Sequence, residues 1–445
     1  MAKMDLNLYL LTANCARTLI DVDLFAEHFF DVLPASGAQS FPAPELIVLS
    51  LQEIAPIAYS FLGGSYLAPY FEAFVKAVKK ATTKQWDESY VNLVKDHTGM
   101  TGLMVFARAD IFYKVPWIDM AHVGFGVQEM GNKGAVGARM SYIVDDDSSK
   151  TVDLTFVAAH LAPMEDALKQ RNMDWQSIVE RLVFSHSKDS EEDSNNDEHA
   201  ALLNHRRSTS HSEDSRRDLF APNSYVFLAG DLNYRTSNVS PLKGDVVRFP
   251  RCNVGRDDPA HYSHLLKEDQ LVREMRNGRT FHGLTEAPID FPPTYKYSDA
   301  ARQAAKLGID TDSEWKWSNH RWPSWCDRIL FLDSPSWVGE GGHVKPQAYN
   351  ALPLLPQSDH RAVALAATVP LTHSAEPSPD HMNAPSKAVA PFAIDPSWKS
   401  RRDVARRKEL VVGILAYLGL TWEGNGLLLA STLGLLGAWV VLRSL

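Results

Sequence analysis

The stretch PSWCDRIL at Pro323–Leu330 places an acid and a base directly ahead of apolar residues. Two other stretches also combine acids with amide or basic side chains: FLAGDLNYR at Phe227–Arg235 and SDHR at Ser358–Arg361. Each polar group ends or follows an apolar run, so each is expected at the rim of a buried sheet. Acids, amides and a histidine at such a rim can hold a metal ion and a phosphate.

Length and composition favour one large domain with appendages, because 445 residues that are 45% hydrophobic can bury a large core. The three cysteines, Cys15, Cys252 and Cys326, lie far apart and have no zinc-binding spacing. They are expected to be reduced thiols in the cytosol. A net charge of −9 argues against a protein that coats duplex nucleic acid, because such proteins depend on clustered Lys and Arg.

The two ends of the chain differ. Met1–Leu11 carries charged residues and then alternates like a short strand, so no signal peptide is expected. Leu410–Leu442 is apolar apart from Glu423, Asn425 and a few hydroxyl residues. A bilayer requires about 20 apolar residues as a helix, which Thr421–Leu442 nearly provides. We expect a C-terminal membrane anchor at 409–445, either a single span or a hairpin; a buried amphipathic helix is the less favoured alternative.

The segments that flank this tail are also unusual. Residues 399–408 contain six basic residues and one acid, which is typical of a juxtamembrane segment on the cytoplasmic side. Residues 371–398 are rich in Pro, Ala and Ser, which predicts a flexible linker. Residues 185–218 are rich in charged residues and Ser, which predicts a disordered insertion within a domain at 1–370.

The domain at 1–370 mixes apolar strands with helical patterns. Strands are predicted at Glu45–Ser50, Thr101–Phe106, Val152–Ala158 and Ser224–Ala229. Helical spacing covers Phe71–Ala81 and Asp166–Phe184. Helices that cover the outer faces of sheets predict a layered α and β domain.

Several of these strands end in side chains that suit metal and acid-base chemistry. Glu53 follows one strand and Asn14 follows another, and magnesium accepts such oxygen ligands while retaining water. Asp231 and Asn233 are one residue apart, so an extended segment directs both to one side, where they can orient a water molecule. The structural alternatives are a surface salt bridge for Glu53 and an Asx-turn for Asp231 and Asn233.

Together the three polar stretches resemble the inositol polyphosphate 5-phosphatases, and the resemblance spans about residues 5 to 368. It implies the four-layer α/β sandwich of the DNase I-like hydrolases. It also implies that Asp327 holds His360 against the scissile phosphate and that Asp359 helps to complete the metal and water site. His160 is similar to a second family histidine that contacts phosphate oxygens.

Substrate contacts follow from the same resemblance. Tyr295, Lys296 and Arg321 match family residues that bind the phosphate next to the one removed, since Lys and Arg suit phosphate. Lys133 lies in a GNKG stretch similar to the family's phosphate-contacting loop. Three departures are Ala362 in place of a proline, Asn319 where a lysine is common, and the absence of the usual tryptophan in Thr12–Cys15. The hydrolytic set is complete, so an active enzyme is expected.

The sequence therefore predicts a Mg2+-dependent hydrolase that converts phosphatidylinositol 4,5-bisphosphate into the 4-phosphate by direct attack of water. The arrangement resembles the fungal tail-anchored enzymes of the endoplasmic reticulum, with the catalytic domain facing the cytosol. A monomer that does not bind nucleic acid is expected. The alternatives are activity on soluble inositol phosphates, a nuclease or sphingomyelinase on the same fold, and a membrane-tethered adaptor that binds phosphoinositides without hydrolysis.

Overall fold

The structure is a computed structural model that describes residues 5–34, 41–144, 150–185, 217–221, 224–333, 342–371 and 390–444. Most of the insertion predicted at 185–218 and most of the linker predicted at 371–398 lie outside these ranges. Both therefore stay predictions.

Two six-stranded sheets form the centre of the domain. The strands are β1 (Asp5–Asn14), β2 (Leu46–Gln52), β3 (Tyr90–Thr98), β4 (Thr101–Arg108), β5 (Ile118–Gly124), β6 (Gly134–Ile143), β7 (Thr151–His160), β8 (Ser224–Asp231), β9 (Thr285–Glu286), β10 (Asp327–Phe331), β11 (Lys345–Ala351) and β12 (Val363–Pro370). The first sheet has the order β11-β12-β1-β2-β4-β3, and the second has the order β5-β6-β7-β8-β10-β9. The first sheet mixes parallel and antiparallel neighbours, since β1 is parallel to β2 and antiparallel to β12.

Helices cover the outer faces of the sheets. The described α-helices are α1 (Val22–His28), α2 (Ile57–Leu62), α3 (Ala68–Trp86), α4 (Leu168–Arg181), α5 (Tyr262–Leu266), α6 (Gln270–Arg276), α7 (Asp299–Lys306), α8 (Trp398–Leu420) and α9 (Trp422–Ser444). The helical prediction at Phe71–Ala81 lies within α3, and the one at Asp166–Phe184 contains α4. The four strand predictions correspond to β2, β4, β7 and β8.

Three apolar clusters produce four layers. Leu8 and Val48 of the first sheet share one cluster with Phe227 of the second, so the sheets pack face to face. The outer face of the first sheet packs on α3 through Phe74, and that of the second packs on α4 through Trp175. Burial of each large apolar side chain contributes about 1.5–3 kcal/mol. The predicted four-layer sandwich is confirmed.

The C-terminal part forms two consecutive helices that meet at Thr421, where the backbone is extended. Helix α9 is 23 residues long. Its most apolar window has a mean hydropathy of 1.8 and is not buried, so α9 alone among the described helices has the length and composition to cross a bilayer. Helix α8, which contains residues 399–408, packs against α2 of the sandwich domain.

Gly230 marks a close approach of two strands just before Asp231. A Cβ atom at Gly230 would lie 1.9 Å from the carbonyl oxygen of Ala159, whereas one at Gly244 would meet no atom within 4 Å. We expect Gly230→Ala to lower the free energy of unfolding by about 3 kcal/mol and Gly244→Ala to leave it nearly unchanged. Denaturant unfolding of the full chain in detergent measures both, and equal stabilities would contradict the close approach.

Candidate active site

Strand register in the second sheet brings three predicted site residues side by side. Strands β7 and β8 are parallel with His160 opposite Asp231, and β8 and β10 are antiparallel with Asp327 opposite Asp231. All three side chains are buried. Neighbouring strands lie about 4.8 Å apart, so the pairing alone places a histidine and a second acid on either side of the central carboxylate.

The first sheet contributes Asn14 and Glu53 from the ends of two parallel strands, since Asn14 pairs with Gln52. The two sheets meet at this rim, because Asn14 Nδ2 donates a hydrogen bond of 3.1 Å to Asp231 Oδ2. Ser50 Oγ also donates a hydrogen bond of 2.8 Å to the carbonyl oxygen of Ala229, two residues before Asp231 on β8. The sequence predicted both groups of residues, and the stacking of the sheets joins them.

Asp231 is surrounded by cationic and polar groups. His160 Nε2 lies 3.3 Å and His360 Nε2 lies 3.9 Å from Asp231 Oδ2. Burial raises the pKa of Asp231, but the charge of His360 and the contact with His160 outweigh it, and the net pKa is lower than usual. Asp231 is therefore ionised throughout the neutral range and can accept a hydrogen bond from water.

A lysine and a histidine form a second pair beside Asp231. Lys133 Nζ lies 2.5 Å from His160 Nε2. Burial and the charge of Lys133 both lower the pKa of His160. Nε2 of His160 therefore faces both the Lys133 ammonium group and the Asp231 carboxylate. This arrangement leaves Lys133 as the cation at this side of the site, although burial lowers its own pKa as well.

His360 is oriented by a carboxylate, as the sequence predicted. Its Nδ1 lies 2.9 Å from Asp327 Oδ2, which also accepts a hydrogen bond of 2.7 Å from Thr294 Oγ1. Burial lowers the pKa of His360, but the charges of Asp327 and Asp231 outweigh burial and raise the pKa to about 9. The ring is therefore an imidazolium at neutral pH, with Nε2 directed towards Asp231.

Asn233 follows Asp231 in a tight turn. Its backbone N–H donates to Asp231 Oδ1 at 3.1 Å, and its φ of 57° is in the left-handed region that Asn tolerates. The side-chain Nδ2 donates to the Leu161 carbonyl oxygen at 3.1 Å, and Oδ1 accepts a hydrogen bond from Arg235. The Asx-turn therefore exists and also fixes the amide, which retains one N–H and one lone pair for a water molecule.

Glu53 and Asn14 form a set of oxygen donors that fits a hard divalent ion. Arg17 Nε donates to Glu53 Oε2 at 2.8 Å, while Lys133 Nζ is 4.0 Å from Oε1. Burial raises the pKa of Glu53, but His160, Lys133 and Arg17 lower it to below the usual value, so the carboxylate is charged. The salt-bridge interpretation and the ligand interpretation are both compatible with this geometry.

A different cluster, Asp231, Asp327 and His360, places its potential ligand atoms within 4.8 Å of one another. We interpret it as an ion pair rather than a metal site, because Nδ1 of His360 is already bonded to Asp327 and the ring is protonated at neutral pH. A protonated imidazole has no lone pair for a metal.

The predicted substrate residues differ in their contacts. The Tyr295 ring packs 4.5 Å from the His360 ring, and Lys296 forms an ion pair with Asp359. The Asp359 carboxylate thus faces Lys296. Arg321 Nε lies 3.5 Å from Glu165 Oε1, in a loop that follows β7. Both cations therefore have acidic partners.

Comparison with known proteins identifies the family. The sequence model of the Endonuclease/Exonuclease/phosphatase family 2 matches residues 11–366. The chain belongs to this family. The resemblance inferred from the three polar stretches is confirmed.

Several members of the Endonuclease/Exonuclease/phosphatase family resemble this chain in sequence. The polyphosphatidylinositol phosphatase INP53 of Saccharomyces cerevisiae is 27% identical over 74% of this chain and 24% of its own length. The type II inositol polyphosphate 5-phosphatase 14 of Arabidopsis thaliana is 28% identical over 65% of this chain and 24% of its own. The chain thus matches about a quarter of the length of these relatives.

A solved structure supports the same fold. It is the inositol polyphosphate 5-phosphatase domain of SPsynaptojanin in complex with inositol 1,4-bisphosphate and a calcium ion. The two chains align with a TM-score of 0.56 and 21% identity, over 92% of this chain and 90% of the other. The similarity shows that this family member has the DNase I-like fold.

Three residues of the site were not assigned by sequence reasoning. Thr294 supports Asp327, Arg235 holds Asn233, and Arg17 pairs with Glu53. Arg235 belongs to a stretch that was already quoted, and Thr294 directly precedes the predicted substrate residue Tyr295, so both positions carried a usable signal. Arg17 lies in an ordinary loop, and only the folded chain brings it to Glu53.

We expect the His360 ring to titrate with a pKa of about 9 in the metal-free protein. Because this pKa is raised above the unfolded value of about 6.5, the ring stabilises the fold fully below that value. The contribution is lost as pH rises through the folded pKa. NMR of the imidazole C–H signals measures it, and Asp327→Asn should move the midpoint to lower pH. An unchanged midpoint in this variant would contradict the assigned orientation.

Proposed function

We propose that this family member is a magnesium-dependent phosphoinositide 5-phosphatase that converts phosphatidylinositol 4,5-bisphosphate into phosphatidylinositol 4-phosphate. The observation that carries the proposal is the ionised Asp231, held between the His360–Asp327 ion pair and the Lys133–His160 pair. This arrangement combines a water-orienting carboxylate with two cations that suit a phosphate. The names of the relatives support the same class of substrate.

Magnesium is the ion that the donor set suits, and Glu53 with Asn14 are the residues proposed to hold it. Bound there, the ion supplies Lewis-acid stabilisation of charge on the phosphoryl oxygens. Asn14 also contacts Asp231. The same side chain thus links the proposed ion site to the carboxylate that orients water.

The proposed reaction is an in-line displacement. Asp231 and Asn233 orient a water molecule whose oxygen forms the new bond to phosphorus, while the bond from phosphorus to the inositol oxygen breaks. The water proton passes to Asp231, which later releases it to solvent, and the departing inositol oxygen takes up a proton from solvent water, so that the products are the inositol alcohol and inorganic phosphate. The His360 imidazolium stabilises the negative charge that spreads over the phosphoryl oxygens, and no covalent intermediate with the protein is required.

The neighbouring phosphate is proposed to bind Lys296, Tyr295 and Arg321, and Lys133 with His160 is proposed to contact the phosphate that leaves. Both Lys296 and Arg321 are paired with carboxylates. A phosphate with two negative charges competes well for such cations. The absence of a lysine at Asn319 leaves fewer cations in this group than the family commonly has.

The C-terminal helix α9 favours a lipid over a soluble inositol phosphate as substrate, because a membrane span holds the site near headgroups. We propose that the protein is a tail-anchored monomer of the endoplasmic reticulum membrane whose catalytic domain faces the cytosol. The basic residues 399–408 support this orientation.

The decisive measurement is phosphate release by the full chain in detergent with magnesium present. The substrates are phosphatidylinositol 4,5-bisphosphate, phosphatidylinositol 4-phosphate and inositol 1,4,5-trisphosphate. We expect release from the bisphosphate lipid and none from the 4-phosphate, and Asp231→Asn should reduce the rate by about 10²- to 10⁴-fold. Lipid binding without release would instead indicate an adaptor. Faster hydrolysis of the soluble trisphosphate would indicate a soluble-substrate enzyme.

Glu53→Gln tests the proposed ion site. The variant keeps the shape of the side chain and removes its charge, so we expect half-maximal activity to require about 10- to 100-fold more magnesium. Glu72→Gln is a suitable control, because Glu72 forms an exposed salt bridge with Lys95. An identical magnesium dependence in Glu53→Gln and the wild type would remove Glu53 from the site.

A further inference from the structure

Helix α8 has one face that packs on the catalytic domain. Ala405, Glu409 and Gly413 recur every four residues and are buried, so they form one stripe along the helix. A Cβ atom at Gly413 would lie 3.0 Å from the Cβ of Phe61 and 3.3 Å from the backbone nitrogen of Leu62. Helix α8 therefore approaches α2 closely at a point where a larger side chain does not fit.

Polar contacts also fix α8 in this position. The buried Glu409 carboxylate accepts a hydrogen bond of 2.6 Å from the backbone N–H of Gly131. Arg406 donates to the Phe61 carbonyl oxygen at 2.8 Å and to Glu409 at 3.0 Å. Arg401 forms an ion pair with Glu129, which lies two residues before Gly131. A buried carboxylate that accepts hydrogen bonds from both elements defines one relative placement of the two.

These contacts lie at the rim of the proposed active site. Gly131 precedes Lys133 in the GNKG loop, and α2 begins shortly after Glu53. Further along, the ring of Tyr417 in α8 lies 5.2 Å from that of Tyr66. The Tyr59 hydroxyl of α2 is next to Glu423, in the first turn of α9. The start of the proposed membrane span therefore adjoins the same rim.

The outer face of α8 changes character along its length. In the first half it carries Asp403 and Arg407. In the second half it exposes Val411, Ile414 and Leu415, with 57%, 50% and 65% of each residue accessible. Apolar residues with this spacing on a helix that leads directly into a membrane span are typical of a segment lying in the bilayer interface.

We propose that α8 holds the catalytic domain against the bilayer that α9 spans, with the second half of its outer face lying in that bilayer and the active-site rim facing it. The partner of this surface is a lipid bilayer, and the consequence is hydrolysis of lipids in the enzyme's own membrane rather than in an apposed one. This inference rests on the proposed phosphoinositide 5-phosphatase activity and on α9 as a span.

A direct test locates α8 without measuring activity. Ile414→Cys and Val404→Cys, each combined with Cys252→Ser, carry a polarity-sensitive fluorophore in the full chain reconstituted into phosphatidylcholine vesicles. The two positions are matched, since Ile414 is 50% and Val404 is 49% exposed. We expect brominated lipids to quench the label at Ile414 strongly and the label at Val404 weakly. Equal, weak quenching at both positions would overturn the proposal.

A second test uses two glycines of α8. Gly413→Leu should force α8 away from α2, whereas Gly419→Leu should not, because a Cβ atom at Gly419 meets nothing within 4 Å. The proteins are reconstituted into vesicles with phosphatidylinositol 4,5-bisphosphate in the same vesicles or only in acceptor vesicles. We expect wild-type protein and Gly419→Leu to hydrolyse the lipid of their own vesicles about 100-fold faster.

In Gly413→Leu this ratio should fall about tenfold, since a domain freed from the bilayer surface reaches acceptor vesicles more easily. Hydrolysis of inositol 1,4,5-trisphosphate in detergent shows whether each variant is folded and active. Equal rates on both kinds of vesicle in the wild type, or an unchanged ratio in an active Gly413→Leu, would overturn the proposal. Failure of the wild type on every substrate contradicts the proposed function instead, and the quenching test still decides where α8 lies.

Discussion

The buried carboxylate of Asp231 is the constraint on which the site depends. A buried ion costs several kcal/mol unless charges and hydrogen bonds compensate for it. His360, the Lys133–His160 pair and the amide of Asn14 supply that compensation from four different segments. The same groups that stabilise one anion in the resting protein are suited to stabilise charge on a phosphoryl group.

The sandwich architecture makes this convergence possible. Strands β1 and β2 of one sheet and β7, β8 and β10 of the other end or begin at one rim, and packing of their apolar faces brings the two sets together. Because the polar residues lie at the strand ends, they do not displace apolar side chains from the core between the sheets. The loops that follow the strands then add Lys133, Thr294 and His360.

The C-terminal helix α8 connects the sandwich domain to the proposed membrane span α9. Helix α8 contacts the sandwich domain through small and charged residues, such as Gly413 and Glu409. Its outer face becomes apolar towards α9. Helix α8 therefore connects the proposed membrane span to the sandwich domain, and Glu409 bonds to the loop that carries Lys133.

The sequence alone determined the layered α and β class, the main strands and helices, and the apolar C-terminal segment, because these follow from local periodicity and composition. The resemblance to a family also predicted the acids and histidines of the candidate site, because the matching stretches place them next to strand ends. The tertiary structure decided which groups meet. Arg17 reaches Glu53, Asp359 pairs with Lys296, and residues 399–408 belong to a docked helix. These outcomes depend on contacts between segments distant in sequence, and no local pattern encodes them.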